Sequence, residues 1–228
     1  MYCERNRKIT TCAPFAKTIK VLHAEANLLS DSGLTNCNKL RELNHKNNIH
    51  ITTFAPFAKT LKVLYTTTAG EDEIKLCNNL VELHCCDNFK TVSDDPFPEF
   101  LRKLYISYSY SPNMEFYRSI KSCKNLQLLD LGKHNENIPT DMTLPSSLMV
   151  LHANDAGNVN DATLRSCTNL RELYAKNNKN IASCAPFART LKILNATFSR
   201  AIDDAFVQSC VNLEILHSNG NKNITIKI

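Results

Sequence analysis

The chain has 228 residues, 43% of them hydrophobic, and a net charge of +5. This composition supports a continuous core and excludes a disordered chain. No apolar run reaches the roughly 18 residues that a membrane span needs, and the first twelve residues lack the apolar segment of a signal peptide. The default expectation is therefore a cytoplasmic, reducing compartment and no contact with a membrane.

Two kinds of segment alternate along the chain. CAPFAKTIKVL at Cys12–Leu22 returns at Phe54–Leu64 and at Cys184–Leu194, while NCNKLREL at Asn36–Leu43 returns at Ser166–Leu173 and in looser copies. Both kinds contain a Leu-x-x-Leu step. Its first residue recurs every 19 to 25 residues, at Ile19, Leu40, Leu61, Leu80, Leu101, Leu126, Leu148, Leu170, Leu191 and Leu213. This period predicts about ten coils of a solenoid, with a partial eleventh coil at the start.

The coils resemble the leucine-rich repeat, L-x-x-L-x-L-x-x-N/C, as in LRELYAKNN at Leu170–Asn178. DATLRSCTNL at Asp161–Leu170 is similar to the cysteine-containing subclass that is familiar from F-box proteins. The alternation of the two kinds of segment is similar to the paired repeats in proteins of large DNA viruses. The resemblance implies an α/β leucine-rich-repeat solenoid. A curved parallel sheet would form its concave side, and short helices or 3₁₀ turns its convex side. We expect a single domain, residues 1–228, that starts and ends within a coil and has no recognisable caps.

Each predicted strand should direct its first, fourth and sixth positions into the core. The sixth position is small or apolar in most coils, which predicts a thin core there. Asn recurs at the ninth position, where its side chain can bond free backbone groups of neighbouring turns. We expect a structural role for Asn48, Asn88, Asn178 and Asn221, together with Asn6 and Asn27.

Nine of the ten cysteines occupy positions that are interpreted as core positions, and only Cys86 does not. Five of them lie three residues before a strand leucine: Cys37, Cys77, Cys123, Cys167 and Cys210. These five occur in every second coil, about 10 Å apart, which is beyond the roughly 7 Å between Cα atoms that a disulfide allows. No C-x-x-C pair is present to suggest zinc. The sequence predicts reduced thiols and no bound metal.

Function is expected on the concave face, where the third and fifth strand positions project outward. The fifth position is rich in Tyr and His, and Lys103 stands at the third position. We predict that a partner binds at Tyr2, His23, Tyr65, His84, Tyr105, Lys103, His152, Tyr174 and His217. Histidines two or three coils apart are too distant to share an ion.

No nucleophile–base pair, Gly-rich phosphate loop or suitably spaced carboxylate pair is found, so neither an enzyme nor a cofactor is expected. Basic residues precede many strands but have Glu nearby. They are interpreted as a solvated, partly paired surface, and nucleic acid is not the expected partner.

The leading hypothesis is a non-enzymatic scaffold that binds a protein. The alternatives are the substrate-recognition part of an F-box-type ubiquitin ligase and a structural component of a viral or other large assembly. In a virus, the compartment would be the host cytoplasm. Uncapped ends also predict self-association.

Overall fold

A computed structural model describes residues 1–68, 70–86, 97–107, 114–132 and 138–226. Ten strands form one sheet in which every strand pairs in parallel with the next one along the chain. They are β1 (Val21–His23), β2 (Glu42–Asn44), β3 (Val63–Tyr65), β4 (Glu82–Cys86), β5 (Lys103–Ser107), β6 (Leu128–Asp130), β7 (Val150–His152), β8 (Glu172–Tyr174), β9 (Ile193–Asn195) and β10 (Ile215–His217). The α/β leucine-rich-repeat solenoid predicted from the spacing is the observed fold.

Short helices lie on the return paths between strands. They are α1 (Glu71–Leu76), α2 (Met114–Ser119), α3 (Asp161–Leu164) and α4 (Asp204–Ser209), with 3₁₀ turns at Ala13–Phe15, Asp31–Gly33 and Ile120–Ser122. Pro14 stands in the first turn of its 3₁₀ element, where a missing N–H costs nothing. No described helix is long and apolar enough to cross a membrane. The 25-residue step between Leu101 and Leu126 predicts a bulged loop with the sequence SYSYSPNMEF. Residues 108–113 of that segment lie outside the described residues, and α2 begins at Met114.

The core follows the periodic leucines. The fourth-position leucines Leu22, Leu43 and Leu64 are fully buried and stand opposite one another in adjacent strands. The same register continues through the sheet, so each coil buries its leucines against those of its neighbours. Burial of a leucine side chain contributes roughly 1.5–3 kcal/mol, which makes this column the main source of stability.

Buried asparagines link successive turns, as predicted. Asn48 Nδ2 donates to Asn27 Oδ1 at 2.8 Å and to the Leu29 carbonyl at 3.0 Å, and Asn48 Oδ1 accepts from the His50 N–H. Asn178 and Asn221 make equivalent bonds to the preceding coil. Asn88 lies outside the described residues.

The aspartates at the starts of the return segments have a role that the sequence does not reveal. Aspartate is typical of helix N-termini, and Asp161 does begin α3, although the cap of that helix is Asn160. The Asp161 carboxylate instead accepts the N–H groups of Ala182 and Ser183 in the next coil, at 2.8 and 3.0 Å. Asp31 and Asp204 make the same bonds one coil onward, and so each clamps a cysteine-type coil to its successor.

The cysteines are core residues. The five predicted structural cysteines are all buried, as are Cys3, Cys12, Cys85 and Cys184, and all nine are free thiols. One relation was missed, because only cysteines of one coil type were compared. Cys12 and Cys37, on adjacent coils, lie close enough for their thiols to influence each other's pKa, and so do Cys184 and Cys210.

The expectation of a thin core at the sixth strand position holds in only part of the chain. Ala24, Ala153, Ala175 and Ala196 are fully buried there, but Ile106, Leu131 and His45 occupy the same position elsewhere. His45 is 0% exposed and packs edge-on against Phe54, with ring centroids 5.4 Å apart. Its Nδ1 lies 3.4 Å from the Asn48 carbonyl oxygen, while its Nε2 has no hydrogen-bond partner among the described residues. Burial lowers the pKa of His45 to about 4.

Candidate functional site: the exposed face of the sheet

The fifth strand position forms a continuous row across the sheet, because parallel in-register pairing places each such residue beside the next one. The row, as named here, contains Tyr2, His23, Asn44, Tyr65, His84, Tyr105, Asp130, His152, Tyr174, Asn195 and His217. Pairing extends to both ends, since Tyr2 bridges to His23 and His217 stands opposite Asn195. The structure thus places every predicted partner-binding residue except Lys103 in one line. Lys103 lies beside the row at the third position of β5.

The centre of the row is a stack of three rings. The ring centroids of Tyr65 and His84 are 4.0 Å apart with the planes at 20°, and those of His84 and Tyr105 are 4.1 Å apart at 3°. All three side chains are half-buried, so one edge of each ring faces solvent. Lys46 adds a cation 5.7 Å from the Tyr65 centroid. The stack offers a rigid surface that is both apolar and able to form hydrogen bonds.

A carboxylate fixes the middle ring. Glu82 Oε1 accepts from His84 Nε2 at 2.8 Å, and Lys103 Nζ lies 3.1 Å from Glu82 Oε2. Burial lowers the pKa of His84 and outweighs the opposing effect of Glu82. Burial alone would raise the pKa of Glu82, but the bonds from His84 and Lys103 prevail and lower it. Near neutral pH, the stable state therefore has a neutral His84 imidazole that donates to the charged Glu82 carboxylate. The same carboxylate pairs with the ammonium group of Lys103.

The ends of the row are built differently. Tyr2 and His23 meet edge to face at 4.6 Å, as do His152 and Tyr174 at 4.4 Å. His23 lies between two carboxylates, 2.8 Å from Glu42 and 3.3 Å from Glu4. His217 is exposed on β10, and Tyr2 is 71% exposed. Asp130 separates the His152–Tyr174 pair from the central stack, whereas the His23 ring lies 6.4 Å from the Tyr65 ring at 50° and so adjoins the stack across Asn44.

Three histidines of the row, His23, His84 and His152, have carboxylate partners that orient them. His152 Nδ1 lies 3.2 Å from Asp130, and the Tyr174 hydroxyl donates to Glu172 at 3.1 Å. Glu42, Glu82, Asp130 and Glu172 were not among the predicted site residues. Their signal was available, because each stands in or beside the row on the same or the adjacent strand. Burial, together with neighbouring carboxylates, raises the pKa of Tyr65, Tyr105 and Tyr174, so these phenols stay protonated as hydrogen-bond donors.

The chemistry of this face is that of contact. Within the described part of the chain, no group of three His, Cys, Asp or Glu side chains could hold a metal ion. What the face presents is a line of hydroxyls, ring edges and paired charges. Such groups suit recognition of another surface.

Similarity to known proteins concerns the fold. An internalin from Listeria monocytogenes has a TM-score of 0.55 at 18% identity, covering 91% of this chain and 69% of that chain. A chain of the octameric complex of latrophilin 3, Unc5D and FLRT2, whose FLRT2 part is a leucine-rich repeat, has a TM-score of 0.53 at 15% identity, covering 96% and 81%. No family model matches the chain, and no curated protein does either. The structural neighbours are leucine-rich-repeat proteins.

Proposed function

We propose that this leucine-rich-repeat protein is a non-enzymatic scaffold that binds a partner protein on the exposed face of its sheet, centred on Tyr65, His84 and Tyr105. The observation that carries the proposal is the ring stack itself. Three half-exposed rings on successive strands are held parallel at about van der Waals separation by Glu82 and Lys103. A solvent-facing row has no need for such order in order to fold.

The physical advantage of the stack is that it is preorganised. Binding usually costs about 0.5–1.5 kcal/mol for each side chain that must be immobilised. Here each ring is already confined by its neighbours, so most of that cost is met on folding. Tyrosine also contributes a large contact area together with a hydroxyl, which is why it is enriched at the energetic centres of interfaces.

The test compares partner recovery by the parent chain with recovery by a Tyr65→Ala/Tyr105→Ala variant. Each protein is immobilised and exposed to lysate, with a photoreactive cross-linker attached near the row. We expect one or more proteins to be recovered with the parent and reduced about tenfold or more with the variant, because a central aromatic contact is worth about 2 kcal/mol or more. Quantitative mass spectrometry measures the ratio.

A matched control is Phe100→Ala, since Phe100 is 50% exposed but lies outside the row. It should recover the same proteins as the parent. The thermal midpoint of each variant separates loss of binding from loss of folding. Equal recovery by the parent and the double variant would place the contact on another surface.

The other functional hypotheses stay predictions. The resemblance to F-box-associated repeats, the viral resemblance and self-association through the terminal coils are not tested by the described residues. The complex that contains FLRT2 shows that a leucine-rich repeat of this general fold occurs in a protein assembly. It does not identify a partner for this chain.

A further inference from the structure

The net positive charge of the chain comes from its first three coils. Residues 1–68 contain ten Lys and Arg against four Asp and Glu, whereas residues 69–228 contain 17 against 18. The excess that gives the whole chain its net charge of +5 therefore lies entirely in the first part. Such asymmetry within one continuous fold points to a local partner of opposite charge.

Six of these cations lie together where the chain enters β1, β2 and β3. We call them the basic edge, and they are Lys17, Lys20, Lys39, Arg41, Lys59 and Lys62. The backbone fixes one column of three, because the Arg41 N–H donates to the Lys20 carbonyl and the Lys62 N–H to the Arg41 carbonyl, both at 2.8 Å. Neighbouring strands are about 4.8 Å apart, so these three charges recur at that interval.

The other three cations line two shallow grooves between the coils. Lys17 borders a groove of about 420 Å³, and Lys39 and Lys59 border one of about 450 Å³, with Asn38 shared by both. Ala, Pro and Thr form much of the remaining walls. The grooves therefore combine small apolar surfaces with cations at their rims.

These charges are not neutralised within the described protein. All six side chains are exposed, and none has a carboxylate within 4 Å among the described residues. The partly paired surface expected from the sequence is found at Lys192, which pairs with Glu214, but not at the basic edge. Like charges at this spacing repel one another, so the arrangement opposes folding.

Lys39 is the one cation of the cluster that repeat duplication does not explain. At the same place in other cysteine-type coils stands an Asn whose amide donates to a carbonyl of the preceding coil. Asn79 bonds the Lys59 carbonyl at 2.8 Å, and Asn125, Asn169 and Asn212 make the same bond. Lys39 lacks that amide and places a charge between Lys17 and Lys59. The position of Arg41 varies among the later coils of this type, which have Val81, Gln127, Arg171 and Glu214 there.

We infer that the basic edge binds a short acidic segment of a polypeptide, as a second contact surface distinct from the row. The size fits, since the three coils span about 10 Å between their outer strands, the reach of about three to four extended residues. The grooves are lined by Ala, Pro and Thr, and Phe57 at their base is buried, so they offer no exposed ring on which bases could stack. Hence an acidic peptide fits better than a nucleic acid.

The test is fluorescence anisotropy of a labelled eight-residue Glu/Asp peptide with the full chain. We expect micromolar binding at low salt that weakens steeply as salt rises. The informative variant is Lys39→Asn/Arg41→Val, which installs residues already present at these positions in another coil. It should bind the peptide at least about tenfold more weakly, because two of the central charges are lost. Its thermal midpoint should not fall, since the new Asn can restore the bond to the Lys17 carbonyl.

Two controls make the outcome decisive. Lys176→Gln/Lys179→Gln removes two exposed charges outside the basic edge and should leave the affinity unchanged. A labelled single-stranded oligouridylate of matched charge is titrated in parallel. Peptide affinity that is equal in the parent and in the Lys39→Asn/Arg41→Val variant would overturn the inference. Tighter binding of the oligonucleotide than of the peptide, lost in the same variant, would overturn the polypeptide assignment.

Discussion

The second copy of the CAPFAKTLKVL segment differs from the first and third copies at one core position and at the residue it packs against. Phe54 stands where the other two copies have Cys12 and Cys184. Nine residues earlier, His45 stands where the others have Cys3 and Ala175. Both changes enlarge the side chain, and the two rings are in contact. A repeat unit can therefore tolerate a bulky residue when the adjacent position changes with it, and the pair brings a titratable group into the core.

The largest effect on this difference between the copies is expected from Phe54→Cys. The substitution gives the second copy the residue that the first and third copies have at this position, and it leaves His45 unchanged. We expect a loss of about 3–4 kcal/mol in the free energy of unfolding, because a fully buried ring is removed. The imidazole of His45 would keep the cavity beside it from collapsing. Urea unfolding measures the difference. Phe15→Cys is the matched control, as Phe15 is 55% exposed, and it should change stability by less than about 0.5 kcal/mol.

Acid should act on the second copy through His45. Its pKa is about 4 in the folded protein because of burial, against 6.5 when exposed, so the unfolded chain binds the proton more readily. The stabilisation is complete above pH 6.5 and is lost as the pH falls toward 4. Between pH 7 and pH 5 we expect a loss of about 2 kcal/mol.

The His45→Leu variant isolates this effect from the other titrating groups. Stability of parent and variant is compared by urea unfolding at several pH values. The difference between the two should change by about 2 kcal/mol across that range. A constant difference would mean that His45 gains a proton without penalty.

The smallest effect is expected in the first and third copies. Cys12→Ala and Cys184→Ala each remove the sulfur atom of a buried side chain, so each should cost about 1 kcal/mol in urea unfolding. Burial raises the pKa of Cys12 to about 12, and iodoacetamide at pH 8 should therefore label it slowly in the native protein. Denatured without reductant, the parent should titrate ten thiols. A count near six would reveal that the adjacent pairs are disulfides.

Much of the fold could be read from the sequence because its information is periodic. Leucines about 21 residues apart placed all ten strands, and the fifth position of each coil correctly gave the membership of the row. The spacing could not predict contacts between side chains on one coil and groups on the neighbouring coil. The Asp161 carboxylate bonds a segment about 21 residues later, and Cys12 meets Cys37 across two coil types, so neither contact has a local signature.

The candidate site shows the same division. The repeat positions of Tyr65, His84 and Tyr105 predicted their place in the row. The angles that distinguish the central stack from the tilted pair His152–Tyr174 depend on rotamers and on Glu82, which the repeat does not specify. The burial of His45 was not predicted, because most coils have a small or apolar residue at the sixth strand position and the pattern does not indicate a single large exception. Exceptions to a repeat are local, and only packing shows how each is accommodated.

The aspartate clamps give the solenoid a natural unit of growth. Asp31, Asp161 and Asp204 each tie a cysteine-type coil to the coil that follows it. Gain or loss of a single coil would leave an aspartate facing the wrong segment, whereas gain or loss of two restores every bond. We therefore expect the number of coils to have changed two at a time during evolution. Recombination between copies would then lengthen or shorten the protein by whole pairs of coils.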